Sequence, residues 1–203
     1  MKLYFSQGAC SLAPHIALRE AGATFDLVAV DLKTKKYGDD QDYREVNPKG
    51  YVPALGLDED NTLTEVGAIL LYLAEAYPSA SLAPPAGTMG RYRLYEWLSY
   101  ISSEIHKGIG TIFYLEESAR GAQRAVMAGR LAYLDGALAN SSFVLGAQFS
   151  VADAYLFTVL RWTRLTGIDL APYPSLQRYM TALSARPSVV AAIAAERPAK
   201  ASA

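Results

Sequence analysis

The sequence holds a single cysteine, Cys10, and two histidines, His15 and His106. One thiol rules out an intrachain disulfide and any zinc site of the multi-cysteine kind. Two histidines far apart in sequence could bind a metal only with carboxylate help, so no metal is expected. Cys10 lies between a short apolar run, Lys2 to Phe5, and a helical pattern that starts at Ser11. Free amides and the helix dipole at such a point stabilise a thiolate and lower its pKa. An isolated cysteine is more often a small buried hydrophobe, and with this placement the two readings divide evenly.

The local run is Cys10-Ser11-Leu12-Ala13, without the second thiol of a Cys-x-x-Cys pair. Any thiol chemistry therefore borrows its partner sulfur from a small molecule, and glutathione is the obvious cytosolic one. Three other places could serve such a peptide. Val52-Pro53 stands before a predicted strand. A trans bond is the commoner state there, while a cis bond would turn the preceding backbone outward to pair with a peptide ligand. Thr64-Glu65 opens a helix whose first amides could hold a carboxylate while Glu65 holds an ammonium group. Lys33, Lys35 and Lys36 form a basic cluster that could meet a carboxylate, although such clusters are usually just solvated. A lone helical histidine such as His106 is more often packed or surface-exposed than catalytic, and His15 reads as structural.

The elements that must position these residues fall into two regions. Residues 1–80 carry 7 Lys or Arg against 12 Asp or Glu, and residues 81–203 carry 12 against 8. The signs change across the Pro-, Ser- and Ala-rich stretch from Tyr77 to Gly87, which reads as a linker over 81–87. In the first region Lys2 to Phe5 is a strand and Ser11 to Ala21 a helix, with Pro14 in its first turn and Gly22 at its end. Phe25 to Val30 is a second strand. Ala54 to Leu57 and Thr62 to Leu63 form a hairpin around Asp58-Glu59-Asp60-Asn61, followed by a helix over Glu65 to Tyr77 capped by Thr64. That order predicts an α/β thioredoxin-like N-terminal domain, residues 1–80, with a mixed four-stranded sheet.

Residues 88–203 read as an all-helical C-terminal domain. From Arg91 to Lys107, Leu94, Trp97, Leu98, Ile101 and Ile105 mark a packing face, and Tyr92, Tyr95, Ser99, Ser103 and His106 a separate polar stripe. Ala122 to Leu138, Val151 to Thr166, Ser175 to Ala185 and Ser188 to Glu196 are further helices. Ser150-Val151-Ala152-Asp153 has the form of a helix-start box. The formal net charge of −1 argues against nucleic-acid binding. No apolar run is long enough to span a bilayer, and Ser6, Gln7 and Gly8 interrupt any signal-peptide core. The expectation is a soluble, cytoplasmic protein with no membrane partner.

The motifs resemble those of glutathione transferases, specifically the bacterial beta class. They are Tyr4-x-x-x-Gly8-Ala9-Cys10-Ser11-Leu12-x-Pro14-His15, Val46-Asn47-Pro48-x-Gly50-x-Val52-Pro53-Ala54-Leu55, Leu63-Thr64-Glu65, Ser102-Ser103-Glu104-x-His106-Lys107 and Ser150-Val151-Ala152-Asp153. The resemblance implies the two-domain transferase fold and a homodimer. It implies glutathione as co-substrate on the first domain and a small hydrophobic electrophile in a cleft against the helical one. Cys10 and His106 would be the catalytic residues, with Cys10 facing the glutathione sulfur and able to form a mixed disulfide with it. The Val52 backbone would pair with the cysteinyl part, and Glu65 with the Val66 backbone would hold the γ-glutamyl end. Lys35, His106 and Lys107 would contact the glycyl end or line the site near the sulfur, and Ser99, Ser103 and Glu104 would reach across from the other subunit.

An apolar electrophile pocket is expected from Ala9, Ile109, Ile112, Phe113 and Trp162, with Tyr4 and Ser11 as spare hydroxyl donors near Cys10. Gly108 and Gly110 would bend or loosen the helix after His106. Two rival readings stand beside conjugation. One is a glutathione-dependent disulfide reductase, peroxidase or reductive dehalogenase with Cys10 as nucleophile; the other is a non-catalytic adaptor with a degraded glutathione site.

Overall fold

The computed structural model describes residues 1–58 and 61–197. The described residues divide into two compact units, one of residues 1–80 joined by 186–197, the other of Ser81–Ala185. The sequence pattern assigns 186 onward to the helical domain. The structure instead packs the last helix, α9 (Pro187–Ala195), on α1 (Leu12–Glu20) in the first unit. The physical reason is a polar tie that sequence distance conceals. Arg186 makes a two-pronged bond to Glu20, Nε to Oε1 at 2.6 Å and the terminal nitrogen to Oε2 at 2.7 Å, and Ser188 Oγ donates to the same carboxylate. Burial works to raise the pKa of Glu20, but the bonds from Arg186 and Ser188 outweigh it and hold it below the ordinary value.

Among the described residues the first unit carries six strands rather than four: β1 (Lys2–Phe5), β2 (Asp26–Asp31), β3 (Lys36–Tyr37), β4 (Gln41–Asp42), β5 (Ala54–Gly56) and β6 (Thr62–Thr64). Their order across the sheet is β4-β3-β2-β1-β5-β6, with β1 parallel to β2 and antiparallel to β5. The expected core of the sheet is therefore present, and two-residue strands extend one edge. Within the hairpin turn, Glu59 and Asp60 lie outside the described residues. Leu12, Ala13, Ile16 and Ala17 of α1 are wholly buried. Gly22 ends the helix with φ +62°, where Ala23 N–H donates to Leu18 O at 3.0 Å, the left-handed exit that glycine adopts at least cost.

Helix α2 (Val66–Ala76) starts one residue later than expected. Its N-cap is Glu65, at φ +71°, not Thr64. A left-handed non-glycine residue costs backbone energy of order 1–3 kcal/mol and is kept where surroundings impose it. Here it lets the chain turn sharply from β6 into α2.

In the second unit the single helix expected from Arg91 to Lys107 is three segments: α3 (Met89–Tyr100), a wide π turn over Ile101–His106, and α4 (Lys107–Thr111). The packing face holds, since Leu94, Leu98, Ile101 and Ile105 are buried. Gly108 does not loosen the helix. A β-carbon there would run into Met127 of α5 (Glu117–Ala137), so the glycine permits the close approach of α4 to α5. Helix α6 (Val151–Leu160) is buried on every side, as its unbroken apolar run requires. The Ser150–Asp153 box opens it as expected, and the run to Thr166 breaks at Arg161–Trp162 into a short α7 (Thr163–Thr166) before α8 (Pro174–Ser184).

Candidate active site

The first unit brings Cys10, Val52, Glu65 and their supports onto neighbouring turns. Cys10 sits on the turn between β1 and α1, and its Sγ–H donates to Val52 O at 3.3 Å. The Val52–Pro53 bond is cis, the less common of the two states considered. The loop before it is braced from within: Tyr43 OH and Asn47 Nδ2 both donate to Tyr51 O, at 3.2 and 2.6 Å, and Lys35 Nζ donates to Gly50 O at 2.7 Å. Lys35 therefore fixes the loop through its backbone, and Lys36 pairs with Asp40.

Of the two readings of Cys10 that placement left open, its surroundings favour the buried, neutral thiol. Burial pushes the Cys10 thiol up to about 12, and the Glu65 carboxylate adds to the rise. The amides of Cys10 and Ser11 pull the other way, as a helix N-terminus should, but desolvation wins. The Ser11 hydroxyl is engaged within its own loop. Ser11 Oγ accepts from Ser6 N–H at 3.2 Å and donates to Ser6 O at 3.3 Å. Tyr4 is buried among Tyr37 and Tyr43, with ring centroids 5.4 and 5.7 Å away. Ala9, expected in a pocket, packs against this same cluster.

Glu65 and the start of α2 form the second constellation. The first amides of a helix have no partner within it, which leaves Val66 and Gly67 N–H placed for a carboxylate. The Glu65 carboxylate accepts from Lys49 Nζ at 2.5 Å and from Tyr51 OH at 3.5 Å, and Lys49 Nζ also reaches Thr64 Oγ1 at 2.9 Å. Sequence reasoning misses Lys49 and Tyr51 as site residues. Their one signal is their place in the Pro48–Val52 loop, which braces against the helix start.

A third missed residue is Glu196, nearly fully buried. Its Oε2 accepts from Gly8 N–H at 3.2 Å, in the loop that carries Cys10, and its Oε1 lies 3.1 Å from His15 Nδ1. Arg19 Nε donates to His15 Nε2 at 3.2 Å, which makes Nε2 the acceptor and Nδ1 the donor toward Glu196. His15 is structural, as read, and nothing in local sequence points to its partner.

The second unit holds an aromatic group around His106. Its Nδ1 lies 2.6 Å from Tyr155 OH, and its ring stands edge-on to Trp162 at 4.9 Å and to Tyr155 at 5.6 Å between centroids. Phe113, 42% exposed, meets Trp162 at 6.0 Å. Ile109 and Ile112 are buried in the unit rather than placed on a surface. Of the residues expected to reach across a dimer, Ser99 and Ser103 are exposed, with Ser103 Oγ donating to Ser99 O at 3.0 Å. Glu104 pairs with Arg130 of its own chain, at 2.7 and 2.5 Å. Lys107 is exposed. Among the described residues no group of three or more His, Cys, Asp or Glu could hold a metal ion, and no helix is long and apolar enough to cross a membrane.

A mixed sheet with a cysteine at its first strand–helix turn, a cis-proline loop beside it and an all-helical second unit is the glutathione transferase fold. The chain belongs to the glutathione S-transferase family. Its residues 8–76 match the family model of the glutathione S-transferase N-terminal domain, and residues 117–182 that of the C-terminal domain. It is 43% identical to glutathione S-transferase GstA of Escherichia coli O157:H7, over 97% of this chain and 98% of that one. Among solved structures, the ternary complex of BphK, a bacterial transferase, is 49% identical with a TM-score of 0.93, covering 97% of this chain and 99% of the other. The beta-class enzyme of Sphingomonas chungbukensis is 49% identical with a TM-score of 0.92, covering 97% and 98%. A sphingomonad transferase at 48% identity and a TM-score of 0.92, covering 97% and 98%, was solved with glutathione.

Proposed function

We propose that the protein transfers the glutathione thiolate to small hydrophobic electrophiles, with Cys10 acting as a neutral hydrogen-bond donor to the attacking sulfur. The observation that carries this is the place of Cys10, half-buried at the turn before α1 with its Sγ–H donating to Val52 O at 3.3 Å beside the cis Val52–Pro53 bond, where desolvation favours the neutral thiol. A thiol that stays protonated can donate to an anionic sulfur and stabilise it. A redox nucleophile needs the thiolate, so the same observation ranks the reductase, peroxidase and dehalogenase readings second. The intact Cys10, Val52 and Glu65 constellation ranks the adaptor last.

In this reading the Val52 backbone pairs with the cysteinyl unit. The Val66 amide and the Glu65 carboxylate take the γ-glutamyl carboxylate and ammonium, and Lys49 is a near neighbour of the latter. His106 is the second catalytic group, and Phe113 and Trp162 line the electrophile side, with Ile109 and Ile112 packed behind them. Lys35 supports the loop, and Lys107, Ser99 and Ser103 are polar contacts of the glycyl end or of a partner subunit in a cytoplasmic homodimer. The sphingomonad relative's bound glutathione supports the choice of co-substrate.

Replacing Glu65 with Gln tests the γ-glutamyl assignment. A charge-assisted hydrogen bond is worth about 1.5–3 kcal/mol, so calorimetric titration should show glutathione binding weakened at least about tenfold. Unchanged affinity would remove Glu65 from the site, and no saturable binding to the unaltered protein would favour the adaptor.

A further inference from the structure

We infer that Tyr155 is a positioning residue for His106, its hydroxyl donating to Nδ1 and so holding the imidazole as the tautomer that carries its proton on Nε2. The inference rests on the catalytic reading of His106 given above.

Three observations converge on it. The first is the bond itself, 2.6 Å from Tyr155 OH to His106 Nδ1, with Tyr155 1% exposed. A neutral imidazole has one donor and one acceptor nitrogen, and which is which is set by the hydrogen bonds the two nitrogens make. A phenol beside an imidazole nitrogen is the natural donor, so Nδ1 accepts and the proton sits on Nε2.

The second is that Tyr155 cannot turn away. It lies on α6, which is buried on every side, two residues after Asp153. That carboxylate accepts from Ser150 N–H and Ser150 Oγ at 2.9 and 2.8 Å and from Tyr179 OH at 3.1 Å, and Thr158 Oγ1 donates back to Ala154 O at 2.8 Å. The bonds that Asp153 accepts from Val144 N–H and Tyr179 OH hold α6 against its neighbours two residues before the tyrosine.

The third is the way His106 arrives. It is the last residue of the π turn, which holds an extra residue relative to a regular α turn and rotates the succeeding α4 by roughly 100°. The turn brings the imidazole to α6, where the rings of Tyr155 and Trp162 both meet it edge-on at 87° and 66°. The rings fix the plane of the imidazole, and the Tyr155 hydroxyl fixes its proton. An Nε2–H donor toward a negatively charged sulfur or carboxylate then needs no imidazolium, so it operates at neutral pH and above.

The chain has two histidines, so ring ¹⁵N spectra of histidine-labelled protein contain two spin systems, and a His106→Gln variant identifies one of them. The native His106 ring is expected to show the Nε2–H pattern at pH 8. In Tyr155→Phe, which removes one oxygen and keeps the ring, that pattern should give way to a tautomer mixture. The kcat for conjugation should fall about tenfold, a fraction of what general acid–base groups contribute, while the KM for glutathione stays within about twofold. An Nδ1–H pattern in the native protein overturns the assignment, and that result needs no variant to fold. A fall in kcat with an unchanged ring spectrum overturns it too, because a purely structural role gives that result. Full conjugation in His106→Gln would instead overturn the catalytic reading of His106 beneath it, whatever the tautomer.

Discussion

Cys10 in the ligand-free protein will alkylate with iodoacetamide about a thousandfold more slowly at pH 8 than a cysteine in an unstructured peptide. The ordinary thiol value is 9.0 and that of Cys10 is about 12, and each unit is a factor of ten in thiolate. The sign comes from the group: a raised thiol pKa means more of the neutral form at every pH below it. The rate for Cys10 should therefore climb steadily from pH 7 to 10, while the peptide levels off above pH 9. Stopped reactions read by intact mass measure both profiles. A plateau near neutral pH would mean a stabilised thiolate and return the redox readings to first place. The same argument makes the mixed disulfide with oxidised glutathione slow to form in the free protein, so that any rapid labelling would count against a neutral Cys10.

The largest effect on stability is expected at Asp153. Its buried carboxylate accepts four hydrogen bonds, from Val144 N–H, Ser150 N–H, Ser150 Oγ and Tyr179 OH. Replacing it with Ala takes the acceptor from Val144 N–H, Ser150 N–H and Ser150 Oγ, each worth about 1–3 kcal/mol if unrelieved, while Tyr179 OH keeps the backbone carbonyl of residue 153 at 3.3 Å. Allowing for relaxation, the loss should be about 4 kcal/mol, or about 10 °C in Tm for a chain of this size. Burial raises the Asp153 pKa to about 6 against its hydrogen bonds. Between its ordinary value of 3.8 and about 6, the folded state then holds the proton more tightly than the unfolded one. This group's contribution accordingly falls as pH rises through that window, by up to about 3 kcal/mol. Denaturant titrations at pH 4.5 and 7 should show that slope in the native protein and its loss in Asp153→Ala. Equal stability of the two proteins would remove the box from the account.

Much of this is legible in the sequence because it is local. Pro14 and Gly22 bracket α1, Ser150 and Asp153 open α6, and the polar turn between two short apolar runs marks the β5–β6 hairpin. The motif residues Cys10, Val52 and Glu65 lie where the strand–helix order puts them. The features that escape have identifiable causes. β3 and β4 are two residues each, too short for any alternation to register. The π turn is invisible because Leu94, Leu98, Ile101, Ile105, Ile109 and Ile112 keep intervals of three and four through it. Lys49, Tyr155 and Glu196 act through partners 16, 49 and 181 residues away, a relation no single-sequence pattern carries. The choice between the two readings of Cys10 escapes for a different reason. The thiol's place at a helix start is visible in the sequence, but its burial, which decides the sign of the shift, is a property of the fold.

In the proposed function Cys10 assists glutathione-dependent conjugation as a hydrogen-bond donor and does not serve as an obligatory nucleophile. The most direct test is the turnover of a Cys10→Ala variant with glutathione and an activated aryl halide, once the variant is known to be folded and to bind glutathione. Conjugation should fall about tenfold, the order of one lost hydrogen bond to a charged sulfur, because the helix-start amides remain. Complete loss of turnover in that folded, glutathione-binding variant would contradict it.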